Sequence, residues 1–250
     1  MKRKFISIAK KIMPKSKIRD YFAEKIGGDT LKEYRVMEKW GRKTNIPMQS
    51  KEHVDFMLTK VEKCINDNLE GDMIECGAYD AGTSFEIAKK LIELKSDKTL
   101  YSLDTFEGHP YDDFNNMPEE LQKEIYGDKK PMQYIGVLKV DFKQIKDFYT
   151  QNKIQNTQLM KGLFVDSFKK ILDKKICFAY VDGASYLSSK QSYEFLKPRM
   201  VSNGIIIFGY NHPLSPGSDK AAREVFGEDQ IKLLSPEETG QIGGAYWIKS

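Results

Sequence analysis

The sequence predicts an α/β fold, a mostly parallel sheet with helices on both faces. Three observations carry that expectation. Short apolar runs alternate with helical stripes from residue 53 onward. The first run, Asp72–Gly77, leads into a glycine-bearing turn and then a helical pattern. The second, Thr99–Leu103, ends in Asp104, at the kind of strand end where open α/β sheets bind ligands. Such alternation implies right-handed crossovers and helices packed on both sheet faces.

The elements follow in order. His53–Leu69 places Val54, Met57, Leu58, Val61 and Ile65 on one helical stripe. After the first strand, Thr83–Leu94 reads as a crossover helix with Phe85, Ala88, Leu91 and Ile92 facing inward. Residues 108–132 are polar and carry Pro110, Pro118 and Pro131, which suits a lid or binding loop. Asp141–Tyr149 is a helix and Thr157–Lys161 a short strand. Val165–Leu172 is a helix, Ile176–Val181 a continuous buried strand, and Ser188–Leu196 a helix that stops before Pro198. Ile205–Phe208 is the fifth strand and Asp219–Phe226 the last helix. Gln230–Leu234 and Gly244–Ile248 form a closing antiparallel pair.

The 250 residues fit one large domain with an N-terminal addition: 1–50 as a basic tail and helical extension, 51–250 as the main domain. Residues 1–19 hold eight Lys/Arg and no acids, which leaves the remainder 32 basic against 36 acidic residues. A mildly acidic body argues against a nucleic-acid surface. The tail, with Phe5, Ile8, Ile12 and Ile18 among its lysines, suits either an amphipathic helix on an anionic inner-membrane surface or a solvated arm. No apolar run is long enough to span a membrane. Cys64, Cys76 and Cys177 are scattered, as expected of reduced thiols in a cytoplasmic protein.

The stretch Glu75-Cys-Gly-x-x-x-x-Gly82-x-Ser84 is neither Gly-x-Gly-x-x-Gly nor a phosphate-cradling P-loop. It looks like the first loop of S-adenosylmethionine (SAM) methyltransferases. Sharper signals follow: Asp104-Thr-Phe-Glu-Gly-His-Pro110, Lys161-Gly-Leu-Phe-Val-Asp-Ser167, Val181-Asp-Gly-Ala-Ser-Tyr186 and Leu196-Lys-Pro-Arg199. From about Gly71 to Phe226 the chain resembles the macrocin O-methyltransferase group, class I SAM enzymes that methylate sugar hydroxyls. The resemblance implies a seven-stranded, Rossmann-like sheet of order 3-2-1-4-5-7-6 with the seventh strand antiparallel.

It also implies a SAM site at the strand ends. Glu75, Cys76, Gly77, Gly82, Thr83 and Ser84 would wrap the methionine half, with Glu75 alternatively a capping acid. Asp104 and Thr105 would meet the ribose. Phe106 would lie near the adenine or pack in the core, and Asp166 and Ser167 would lie against the adenine amino group, or Asp166 would cap a helix. Asp182 would face the methyl group and the acceptor. The family's magnesium ion is not expected here, because Ala184, Gly209 and Tyr210 stand where the family keeps acids. His212, with Tyr210 and Asn211 beside it, becomes the candidate general base near Asp182, and His109 the second.

The implied activity is methyl transfer to the hydroxyl of a small-molecule sugar or nucleotide-linked sugar, with a homo-oligomer left open. The competing readings are a non-catalytic SAM- or glycan-binding module and methylation of a nitrogen acceptor.

Overall fold

A computed structural model describes residues 47, 49–110, 117–126, 138–183, 185–209, 216–239 and 244–250. The basic tail and most of the expected helical extension lie outside them, as do Tyr210, Asn211 and His212. In chain order the elements are α1 (Lys51–Asn66), β1 (Asp72–Cys76), α2 (Gly82–Glu93), β2 (Leu100–Asp104), α3 (Glu119–Tyr126), α4 (Phe142–Gln151), β3 (Thr157–Lys161) and α5 (Phe164–Phe168). Then come β4 (Ile176–Val181), α6 (Tyr186–Leu196), β5 (Met200–Phe208), α7 (Pro216–Phe226), a 3-10 turn (Glu228–Gln230), β6 (Lys232–Leu233), α8 (Pro236–Thr239) and β7 (Ala245–Ile248).

The seven strands form one sheet in the order β3-β2-β1-β4-β5-β7-β6. All pairs from β3 to β5 are parallel, and β7 runs antiparallel to both β5 and β6. Chain order reverses direction between β1 and β4, so the crevice beyond their C-terminal ends is the expected binding place.

The central strands β1, β2 and β4 and the Ile205–Phe208 half of β5 are buried because both sheet faces are covered there, whereas β3 at the sheet edge is mostly not. One face packs Ile74, Leu103, Val181 and Phe208 under α6 and α7. The other packs Met73, Leu100, Phe178 and Ile207 under α1 and α2. A third cluster joins Ala78, Ala81 and Phe106 to Ile145 and Tyr149 of α4.

Three expectations shift. Ile92 is 48% exposed, and Ile87 takes the buried place on α2 instead. The α5 helix ends at Phe168 rather than Leu172, which is itself 55% exposed. The polar segment after β2 contains α3, whose Leu121 and Ile125 pack against the core cluster that also holds buried Met117.

Candidate functional site

The turn after β1 is built from left-handed backbone at Gly77 (φ +97°), Tyr79 (φ +53°) and Ala81 (φ +57°). Gly77 is obligatory: a Cβ there would sit 2.5 Å from the Asp182 carbonyl oxygen. Gly82 opens α2 and donates its N–H to Asp80 (3.2 Å). The conformational demand falls on Tyr79 and Ala81, where a Cβ makes the left-handed region costly.

Glu75 is buried beneath this turn. Ser84 donates a short hydrogen bond to it and lies 2.7 Å from Ser102 Oγ. Burial pushes the Glu75 carboxyl up to about 8 against the pull of Ser84, and the neighbouring Asp182, Asp104 and Asp80 charges add to the rise. Ser84 therefore serves Glu75 rather than capping α2, whose N-cap is Ala81.

Asp104, at the end of β2, accepts the N–H of Tyr79 (2.8 Å) and of Phe106 (2.7 Å). Burial raises its pKa, and these N–H groups pull it back down. The carboxylate thus ties the β1 turn to the β2 turn. A carboxylate has about four acceptor positions, so these contacts do not exhaust it. Thr105 donates to the Gly108 carbonyl (2.6 Å) and organises the same turn.

Three expected contacts change on inspection, those of Phe106, Cys76 and Asp166. The Phe106 ring is fully buried and lies 4.6 Å from the Phe142 ring, so it is core. The Cys76 side chain is also core, its thiol pushed up to about 12 by burial, and its carbonyl accepts the Asp182 N–H (2.8 Å). Asp166 is exposed and paired to Lys169 (2.8 Å); it sits in the first turn of α5, whose N-cap is Leu163. Ser167 is buried with an Oγ that has no hydrogen-bond partner. That hydroxyl lies 3.7 Å from where a Cβ of Gly162 would be, just past β3.

At the end of β4 the Asp182 carboxylate receives two donors on one oxygen, Gln49 Nε2 (2.7 Å) and the Tyr180 hydroxyl (3.2 Å). Gln49 Oε1 in turn accepts the Thr83 hydroxyl (2.9 Å). Sequence reasoning missed Gln49, because a glutamine in a loop carries no periodic signal.

These residues fit SAM. Glycine opens the first turn, an acid ends β2, and an unpartnered buried hydroxyl waits past β3. Asp182 is the single carboxylate that the described residues supply at the ends of β4 and β5, and it is held by an amide and a phenol. A hard divalent cation takes several oxygen ligands. Among the described residues no cluster of three or more His, Cys, Asp or Glu could hold a metal ion, and no helix is long and apolar enough to cross a membrane.

The His109 imidazole, at the start of the expected lid, is held down to about 4 by burial.

Comparison with known proteins agrees with this geometry. A rhamnosyl-tetracenomycin-C 4'-O-methyltransferase of Streptomyces olivaceus is 22% identical over 158 residues, 62% of this chain and 58% of that protein. The O-methyltransferase NovP superposes with a TM-score of 0.66 at 19% identity, covering 82% of each chain. The calicheamicin methyltransferase CalS11 superposes with a TM-score of 0.63 at 16% identity, over 93% of this chain and 90% of that one. Both superpositions show the class I methyltransferase fold. The family model of macrocin-O-methyltransferase (TylF) matches residues 14–247, nearly the whole sequence, and the chain belongs to that family.

Proposed function

We propose that the protein is a SAM-dependent O-methyltransferase acting on a sugar hydroxyl, on a nucleotide-linked sugar or a glycan or natural-product precursor, without a required metal ion. The carrying observation is the Asp182 carboxylate at the topological switch point, fixed by two donors beside a SAM-compatible turn. The tetracenomycin relative is named for methylation of a rhamnosyl 4'-oxygen, which supports a deoxysugar acceptor.

Bound SAM would supply an electrophilic methyl group. The chain's own residues do the rest. The β1 turn and Asp104 hold the donor, and Ser167 meets the adenine end. Asp182 faces the acceptor hydroxyl, orients it and favours loss of its proton. His212, four residues past Phe208 in sequence, remains the proposed general base. An imidazole near pKa 6.5 suits that task at neutral pH. His109, held down to about 4, is a weak proton acceptor by comparison. Catalysis then rests mostly on in-line positioning, with one base adding ~10²–10⁴-fold.

The test is calorimetry with S-adenosylhomocysteine (SAH), with and without magnesium, followed by methyl transfer from labelled SAM to TDP-rhamnose, the compound for which CalS11 is named. SAH binding and transfer that persist in chelator support the reading. Transfer that stops in chelator and returns with magnesium overturns the metal-free part, and absence of SAH binding overturns the whole.

A further inference from the structure

Gln49 lies before α1, in the segment that enters the main domain, yet its side chain ends at the catalytic strand. Its amide bridges two elements, accepting from Thr83 at the start of α2 (2.9 Å) and donating to Asp182 Oδ2 at the end of β4 (2.7 Å). With Asp182 ionised the carboxylate only accepts, which matches Nε2 facing Asp182 and Oε1 facing the Thr83 hydroxyl.

The approach segment is anchored as well. Ser50 caps α1 by accepting the His53 N–H (3.1 Å), and the buried His53 ring lies 5.9 Å from the Tyr180 ring. Tyr180 is the second donor to Asp182 Oδ2. The N-terminus of α1 therefore reaches the carboxylate by two routes, one through Gln49 and one through Tyr180.

We propose that Gln49 is a positioning residue. It holds Asp182 ionised and aimed, so that the segment leading into α1 sets the state of the carboxylate that faces the acceptor. The inference rests on the role given to Asp182 in the proposed function. Among the described residues, the titratable groups that act on Asp182 include Glu75 from β1, Tyr180 from its own strand and Tyr193 from α6. None of them is itself substituted when Gln49 alone is changed.

A donor to the charged form of an acid lowers its pKa, and a like charge raises it. Carbon-13 carboxyl labelling of aspartate, followed by NMR titration, reads this directly and needs no acceptor. The Asp182 resonance is assigned by its absence in Asp182→Asn. Gln49→Ala should raise the Asp182 midpoint by about one unit, tenfold in proton affinity, and Gln49→Glu by more. Thr83→Val, which keeps Gln49 but frees its amide, should raise it by less. Rises in that order support the proposal. An Asp182 midpoint within ~0.3 unit of wild type in folded Gln49→Ala overturns it. Should that variant not fold, an unchanged midpoint in Thr83→Val overturns it instead. Failure of wild-type protein to bind SAH would end the methyltransferase reading while leaving the Gln49–Asp182 titration as it stands.

Discussion

The Asp182 carboxylate fills the space where residue 209 would carry a side chain. A Cβ on Gly209 would lie 2.7 Å from Asp182 Oδ1 and 2.8 Å from the Tyr180 hydroxyl. The acid that the family resemblance would place at 209 therefore has no room while Asp182 keeps its present partners. Gly209→Ala should push Asp182 off the Gln49 amide and cost about 1–3 kcal/mol of stability, as overpacked sites do. SAH affinity should stay within about threefold, because loss of a few tenths of a kcal/mol is all that a displaced neighbour implies. Calorimetry and thermal melts read both, and an unchanged melting temperature would count against the packing argument.

Glu75 gives the protein an unusual pH dependence. Its folded pKa of about 8 lies above the ordinary 4.5, so between these values the native state binds the proton that the unfolded state releases. Stability must then fall as pH rises through this window. Glu75→Gln, a neutral shape match, removes that slope. The variant should gain on wild type by a few kcal/mol at pH 8–9 and little at pH 5. Urea titrations at the two pH values check it, and parallel curves for the two proteins would sink it.

Asp104 combines ligand and scaffold roles. Asp104→Ala leaves the N–H groups of Tyr79 and Phe106 without their acceptor, at about 1–3 kcal/mol each. SAH affinity should drop by tenfold or more, since a bond to a charged group contributes about 1.5–3 kcal/mol. Asp104→Asn, which keeps one acceptor oxygen, should fall between. Full affinity in the alanine variant would remove Asp104 from the ribose site.

Gly77→Ala meets two obstacles at once, a φ of +97° and a backbone carbonyl 2.5 Å from the new Cβ. Left-handed backbone alone costs about 1–2 kcal/mol for a residue with a Cβ. The clash with the Asp182 carbonyl adds overpacking of about 1–3 kcal/mol. Ala81→Gly should act in the opposite direction and stabilise modestly, because Ala81 already adopts φ +57°. Chemical denaturation of the two variants gives opposite signs if the turn is strained as described.

Much of this was readable from residues alone. Apolar runs bounded by polar turns mark β1, β2 and β4 within a residue or two, because both sheet faces are buried there, but the expected Ile205–Phe208 is only the buried half of β5, which begins at Met200 and passes through exposed Ser202 and Asn203. The strand order came from family resemblance, since period and composition do not say which strands are neighbours. At the site, Glu75, Asp104 and Asp182 stand at strand ends, where sequence and structure agree. Phe106 and Cys76 went to the core because a strand end has two sides and the sequence does not say which one faces the crevice. The α3 helix could have been found: Met117, Leu121 and Ile125 recur every four residues inside a polar stretch. Gln49 could not, because its importance comes from Thr83 and Asp182, 34 and 133 residues away.

The last strand in chain order is not the last in space. β7 sits between β5 and β6, pairing Ile205–Phe208 on one side and Lys232–Leu233 on the other. A chain made from its N-terminus can assemble the parallel part of the sheet first. Until Ala245–Ile248 leaves the ribosome, β5 presents an open apolar edge, and β6 lacks the strand it pairs with. Such an edge is a template for association with other chains. The closing residues therefore act as a built-in protection step in synthesis, and a nascent chain halted just before Ala245 is the form most exposed to chaperones and to aggregation.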